Sequence, residues 1–255
     1  MILEIKNFSL CIKNKKRTKL IGSFNLDLAQ GEVVSVLGLS GVGKSALTTH
    51  IFGLNDNFES EGIINWKKTD KNCSKNIASG YVSQTDPIFP WFSVSDFVSM
   101  CAHDDPSKIT AIKETMSDFH VSYETFGNKK AGRLSGGERG RISLAAAIHC
   151  TDYRLLLDEP FSHIDEIRKN EYIEVFKKIQ NQRQLTTFIV THSSKEAGYL
   201  SDKIVLLRGP DSTDHKIIDG YAKQFESMPA FCESSLRRLD IEISNFFQIR
   251  KELNL

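Results

Sequence analysis

No apolar stretch in this 255-residue sequence approaches the ~20 residues that a membrane-crossing helix needs. A signal pattern is lacking as well, because Met1-Ile2-Leu3 is broken at once by Glu4 and Lys6. Cysteine is sparse: Cys11, Cys73, Cys101, Cys150 and Cys232 are scattered and odd in number. They form no Cys-x-x-Cys pair and have no histidine at zinc spacing. These absences speak against a disulfide framework and a zinc ribbon, and for a reduced, cytosolic compartment. Charge of one sign is not in excess, with 33 basic against 32 acidic residues. The short basic run Lys13-Asn14-Lys15-Lys16-Arg17 reads as a solvated hairpin tip, so no nucleic-acid partner is expected. No internal repeat or low-complexity segment interrupts the chain. The expectation is a chain soluble by itself, large enough for one α/β domain or a core plus a subdomain. Any membrane connection then runs through a partner.

What is present centres on one stretch: Gly38-Leu39-Ser40-Gly41-Val42-Gly43-Lys44-Ser45-Ala46. An apolar β-type run, Val33 to Leu37, precedes it, and a helical pattern from Ala46 to Leu54 follows. Strand, glycine-rich loop and helix in that order are the context of a phosphate-binding P-loop. Glycines let backbone N–H groups wrap the phosphates closely. The start of the next helix adds its unpaired N–H groups and macrodipole. Lys44 is expected to reach the β- and γ-phosphates, and the Ser45 hydroxyl to ligate Mg²⁺.

Ahead of the P-loop, residues 2–6, Ser9 to Ile12, and Phe24 to Leu28 read as short strands of a small antiparallel layer. After it, Gly62 to Trp66 and Ala78 to Val82 return to strand, with a polar loop over 67–77 between them. Gln84 lies just past a strand end, where a neutral amide can ligate Mg²⁺ or orient a water. From Asp86 to Asn128 the pattern turns helical. Ser93 with Asp96 forms a capping box for a helix over Val94 to Cys101, and Asp105-Pro106 starts another that runs to about Phe119. A helical subdomain is therefore expected at about 87–149. Its Phe89, Trp91 and Phe92 serve either as its core or as a docking surface.

A second anion cradle follows at Leu134-Ser135-Gly136-Gly137-Glu138: a serine hydroxyl and two glycines at a helix start. Two cradles on one molecule do not easily fold onto one nucleotide, so the second is expected to serve a nucleotide held by another copy. The apolar run Leu155-Leu156-Leu157 ends in Asp158-Glu159, and open α/β sheets place ligands at that end of a strand. With a P-loop present, Asp158 is expected to hold Mg²⁺ and Glu159 to polarise the attacking water. A helix over Glu166 to Gln180 and a strand over Thr187 to Val190 come next. His192 sits at that strand's end, in reach of a γ-phosphate. Lys203 to Leu207 and Lys216 to Ile218 read as final strands. The tail, Glu233 to Leu253, suits an amphipathic helix that either packs on its own domain or makes a dimer or regulatory contact.

Taken together over about residues 2–208, these motifs resemble the ATP-binding cassette family. In order stand a Walker A loop at 38–45, a glutamine loop at Gln84, and a Leu-Ser-Gly-Gly-Glu signature at 134–138. A Walker B strand at 155–159, a D-loop at Ser162–Asp165 and a switch histidine at His192 follow. The resemblance implies an α/β fold: a P-loop NTPase core with a mostly parallel sheet, an antiparallel β subdomain and an inserted α-helical subdomain. It places the ATPase domain at 1–208 and a C-terminal extension at 209–255. It also implies a head-to-tail homodimer with two ATP molecules and Mg²⁺ between the copies, each ATP lying between Lys44 of one and Ser135 of the other. Glu159 becomes the general base, His192 the γ-phosphate sensor, and Asp165 a link across the interface.

The stretch Gln84 to Val94 with Pro90-Trp91, and Leu156 to Phe161, is similar to import-type cassettes of the nitrate, sulfonate and taurine group. That similarity implies an ATPase subunit on the cytoplasmic face of the membrane. Its helical insert docks a separate permease, and an extracytoplasmic binding protein selects the solute. A soluble ABC ATPase in a non-transport assembly is the competing reading, disfavoured by the single P-loop and the lack of a long coiled-coil insert. Four residues depart from the family pattern. Ile12 stands where an aromatic residue often stacks on adenine, Ala46 follows the P-loop serine in place of threonine, and His163-Ile164 fill the middle of the D-loop.

Overall fold

A computed structural model describes residues 1–14, 17–67, 79–85, 88–209 and 212–248. The chain forms two compact units, one of residues 1–77 with 186–255 and the other of residues 78–185. The polar loop foreseen at 67–77 lies outside the described residues, apart from Lys67.

The first unit opens on β1 (Leu3–Ile12) and β2 (Lys19–Leu28), which pair antiparallel. The two short strands expected over residues 2–12 are one strand. Asn7 takes a left-handed φ of 48°, and the pairing register shifts there rather than stopping. β3 (Val33–Gly38) leads into α1 (Lys44–Ile51), and β4 (Phe58–Trp66) returns to the other edge of β1. The helix starts two residues before the expected Ala46 and stops before the expected Leu54. Gly53, at φ 70°, turns the chain, and its N–H bonds the His50 carbonyl at 3.0 Å.

Within the second unit, β5 (Ser79–Val82) is followed by α2 (Val94–Ala102), α3 (Pro106–Asp118), the single turn α4 (Tyr123–Phe126) and α5 (Gly136–Cys150). β6 (Arg154–Asp158) then pairs parallel with β5, and α6 (Glu166–Arg183) closes the unit. The helical insert forms as its caps predict. Ser93 and Asp96 cap α2 reciprocally, and Asp105 accepts from the Ser107 N–H at 2.9 Å ahead of Pro106. Tyr172, Ile173 and Phe176 form the buried face of α6. Each such side chain contributes about 1.5–3 kcal/mol when fully removed from water.

Back in the first unit, β7 (Thr186–Val190), α7 (Ser194–Leu200), β8 (Lys203–Gly209) and β9 (Ser212–Asp219) follow. β3 lies parallel between β7 and β8, and β9 adds antiparallel to β8. β3 and β7 are buried on both faces, which is why neither carries a charged residue. Phe52 meets Trp66 and Phe188 edge-on, with centroids 5.3 and 5.5 Å apart. The Trp66 indole N–H donates to the Ile51 carbonyl at 3.0 Å. Such aromatic pairs add roughly 0.5–1.5 kcal/mol beyond their buried area.

The tail forms two helices, α8 (Met228–Ser234) and α9 (Leu236–Gln248), broken at Ser235. Phe231 and Leu239 pack over Gly198 of α7, both fully buried, so the packing alternative for the tail holds. Leu253 lies outside the described residues.

Candidate functional site

In the first unit, β3 delivers the glycine loop at its C-terminal end. Gly43 has φ 98° and precedes α1 with no side-chain cap, a conformation in which any side chain is strained. The Lys44 side chain is buried and bends back over the loop. Its Nζ donates to the Gly38 and Leu39 carbonyls at 2.9 and 3.0 Å. No acidic residue occupies the first turn of α1. A half-buried Ser45 follows the lysine. A lysine ammonium beside a glycine loop at a helix start is a donor set that suits phosphates.

Parallel pairing of β3 with β7, Val36 opposite Val190, brings Thr191-His192 to the same end of the sheet as the loop. Thr191 Oγ1 donates to the buried Glu196 carboxylate at 2.6 Å and accepts from the Ser193 N–H at 3.1 Å. Ser193 in turn caps α7. These bonds fix the turn that carries the exposed His192.

In the second unit, every residue of β6 is buried, including Asp158. Burial, then the Asp158 charge, push the phenol of neighbouring Tyr81 up. Glu159 follows with a left-handed φ of 52°. A non-glycine residue held there costs of order 1–3 kcal/mol and turns its carboxylate off the strand line. Ser162 holds the turn, its N–H and hydroxyl donating to the Glu159 carbonyl at 3.2 and 2.9 Å. Gln84, just beyond β5, donates its amide to Glu159 Oε2 at 3.0 Å. The two strand-end residues singled out separately in the sequence are therefore joined.

Ser135 caps α5. Its hydroxyl accepts from the Glu138 N–H at 3.2 Å, and Glu138 Oε2 accepts from the Ser135 N–H at 2.7 Å. Burial alone would raise the Glu138 carboxyl. The two bonds from Ser135 and the charges of Arg141 and Lys129 outweigh it and hold the group below its usual range. Gly137 lies so close to the D-loop that an added Cβ would sit 2.9 Å from the His163 carbonyl. Asp165 caps α6, accepting from the Arg168 N–H at 3.0 Å. A cavity of about 230 Å³ opens among Gln84, Glu159, Gly136, Gly137, Arg139 and His163. Arg139 and His163 carry no spacing signal of their own; the odd D-loop is the one trace of His163 in the sequence.

Among the described residues, no group of three His, Cys, Asp or Glu is placed to hold a metal by itself. Mg²⁺ suits this chain differently. It binds through one or two protein oxygens together with substrate phosphates; the first unit offers the Ser45 hydroxyl, and the second offers the Gln84 amide oxygen and the Asp158 carboxylate. The exposed side chains of the second unit include Phe89 and Trp91, stacked at 5.1 Å with 14° between the rings. Ile88, next to Phe89 in sequence, is fully buried.

Residues 21–162 match the family described as ABC transporter. The chain is 32% identical over 222 residues to the aliphatic sulfonates import ATP-binding protein SsuB of Bacillus cereus (strain ATCC 10987 / NRS 248), covering 86% of each. It is 32% identical over 200 residues to the bicarbonate transport ATP-binding protein CmpC of Synechocystis sp., covering 76% of this chain and 30% of that one. The fold is similar to the dimeric structure of MJ0796, a bacterial ABC transporter cassette. The TM-score is 0.70 at 21% identity, over 85% of this chain and 98% of that one.

Proposed function

The chain belongs to the ABC transporter family, and from that premise we propose that it is the ATP-hydrolysing subunit of an importer, driving a solute through a separate permease. It is an ATPase of the cassette type, with ATP as substrate and Mg²⁺ as the metal. The observation that carries the importer reading is the SsuB likeness across 86% of both chains, which supports an ATP-binding subunit standing apart from its membrane partner. No helix among the described residues is long and apolar enough to cross a membrane. The working location we propose is the cytoplasmic face, held there by the permease, with an extracytoplasmic binding protein choosing the solute.

We read residues 1–208 as the ATPase domain, about 87–149 as its helical insert, and 209–255 as an extension. The family match over 21–162 supports the first two assignments. In our assignment, the loop from Gly38 to Ala46 grips the phosphates and Lys44 faces the β- and γ-phosphates. Ser45, Asp158 and Gln84 supply oxygens to Mg²⁺, which when bound neutralises phosphate charge. Glu159 accepts the proton of the attacking water, and His192 senses the γ-phosphate. Ser135 to Glu138, with Asp165, meet the nucleotide gripped by a second, head-to-tail copy. The left-handed turn at Glu159 and its bond from Gln84 support the base assignment, because both aim one carboxylate away from the strand.

Turnover tests this reading directly. Glu159→Gln keeps the shape and removes the base, so ATP hydrolysis should fall by about 10²–10⁴-fold while ATP binding persists. Equal hydrolysis by wild type and variant would overturn the assignment.

A further inference from the structure

We infer that Cys101 and Cys150 form an oxidisable dithiol in the helical unit, one that closes to an intrachain disulfide when a peroxide takes their electrons. The two residues are far apart in sequence and carry no Cys-x-x-Cys signal. The fold brings them together. Cys101 stands in the last turn of α2, Cys150 is the last residue of α5, and the two helices pack against each other. The two thiols are neighbours, close enough for each to shift the other's ionisation. Both cysteines are free and half-buried, so a small oxidant has access.

The surroundings make the pair asymmetric. Arg183 wraps the end of α5, donating to the Ile148 carbonyl at 2.8 Å, to the Thr151 carbonyl at 3.1 Å and to His149 Nδ1 at 2.7 Å. Lys108 of α3 adds a second positive charge. The neighbouring Cys101 thiol, then these two charges, outweigh burial and hold the Cys150 thiol below its usual range. The same contact, then burial, push Cys101 up. A cysteine beside basic groups is the more nucleophilic thiolate, and a neighbouring thiol that keeps its proton is suited to resolve it.

The step balances as follows. The Cys150 thiolate attacks one peroxide oxygen, the O–O bond breaks, and the departing hydroxide takes a proton to become water. Cys150 is left as a sulfenic acid. The Cys101 sulfur then attacks the Cys150 sulfur, the S–O bond breaks, and the leaving hydroxide takes the Cys101 proton as a second water. Two thiols lose two electrons, and one peroxide becomes two waters. The product joins the end of α2 to the end of α5, the helix that starts beside Ser135.

The test uses the full-length purified protein, exposed folded to hydrogen peroxide in small excess, then denatured and alkylated. We expect two of the five thiols to disappear and to return with dithiothreitol. A non-reducing peptide map should join the Cys101 peptide to the Cys150 peptide. In Cys101→Ser the joined peptide should vanish, and dimedone should instead trap a sulfenic acid on Cys150. Should that variant fail to fold, the wild-type map alone decides. Oxidation of Cys101 and Cys150 no faster than of Cys11 and Cys232 would overturn the inference. So would disulfides formed only between chains.

Discussion

Gln84 and Glu159, 75 residues apart in sequence, are joined by an amide–carboxylate hydrogen bond of 3.0 Å. Parallel pairing of their strands, Val82 opposite Leu157, brings them level, and the left-handed turn at Glu159 completes the approach. A hydrogen bond to a charged group contributes about 1.5–3 kcal/mol. If Gln84 orients the proposed base, Gln84→Ala should lower kcat by about tenfold or more and leave the KM for ATP nearly unchanged. Steady-state kinetics at saturating Mg-ATP check this. A raised KM with unchanged kcat would mean that Gln84 serves binding alone.

Acid sensitivity should arise at His149. Its Nδ1 accepts from Arg183 at 2.7 Å, and its Nε2 faces the Thr115 hydroxyl at 2.8 Å. Burial first, then the Arg183 charge, lower it from 6.5 to about 4. The unfolded chain therefore binds this proton more readily between those two values, and stability should drop as pH falls through that window. Thermal melts at pH 7.5, 6 and 5 on wild type and His149→Gln test the point. The variant should be less stable overall at neutral pH but lose less further stability on acidification. Parallel slopes for the two proteins would contradict the assignment.

On the second unit, Phe89 and Trp91 are 55% and 65% exposed while stacked on each other. Rings displayed in this way contribute little to folding, and aromatic residues dominate binding at interfaces. Trp91→Ala should leave the melting temperature within about two degrees of wild type, since surface changes of this kind usually stay within ~0.5 kcal/mol. If the proposed permease docks here, its recovery in co-purification should fall severalfold. A large loss of stability would instead mark the ring as structural.

Much of the site was legible because it is built from short contiguous signals. The glycine loop, the Leu134-to-Glu138 cap and the acidic strand end each need only local spacing. The family match and the fold likeness bear out the class of protein and the α/β architecture. What depends on distant partners was not legible. The Gln84–Glu159 bond, the approach of His163 to Gly137 and the meeting of Cys101 with Cys150 all arise from packing between segments far apart in the chain. The aromatic cluster at 89–92 was ambiguous for a different reason. Cores and interfaces use the same residues, and only exposure separates them. The single strand from Leu3 to Ile12 was hidden by its irregularity at Asn7, where alternation slips without the pairing ending.

The most direct test of the importer reading is capture of the hydrolysis-blocked protein. Glu159→Gln would be expressed in its native host and purified with Mg-ATP from detergent-solubilised membranes, and the co-purifying chains would then be identified. A polytopic membrane protein in stoichiometric amount is the predicted result. A homodimer without a membrane partner, or one bound only to cytosolic proteins, would contradict the transport reading while leaving the ATPase chemistry intact.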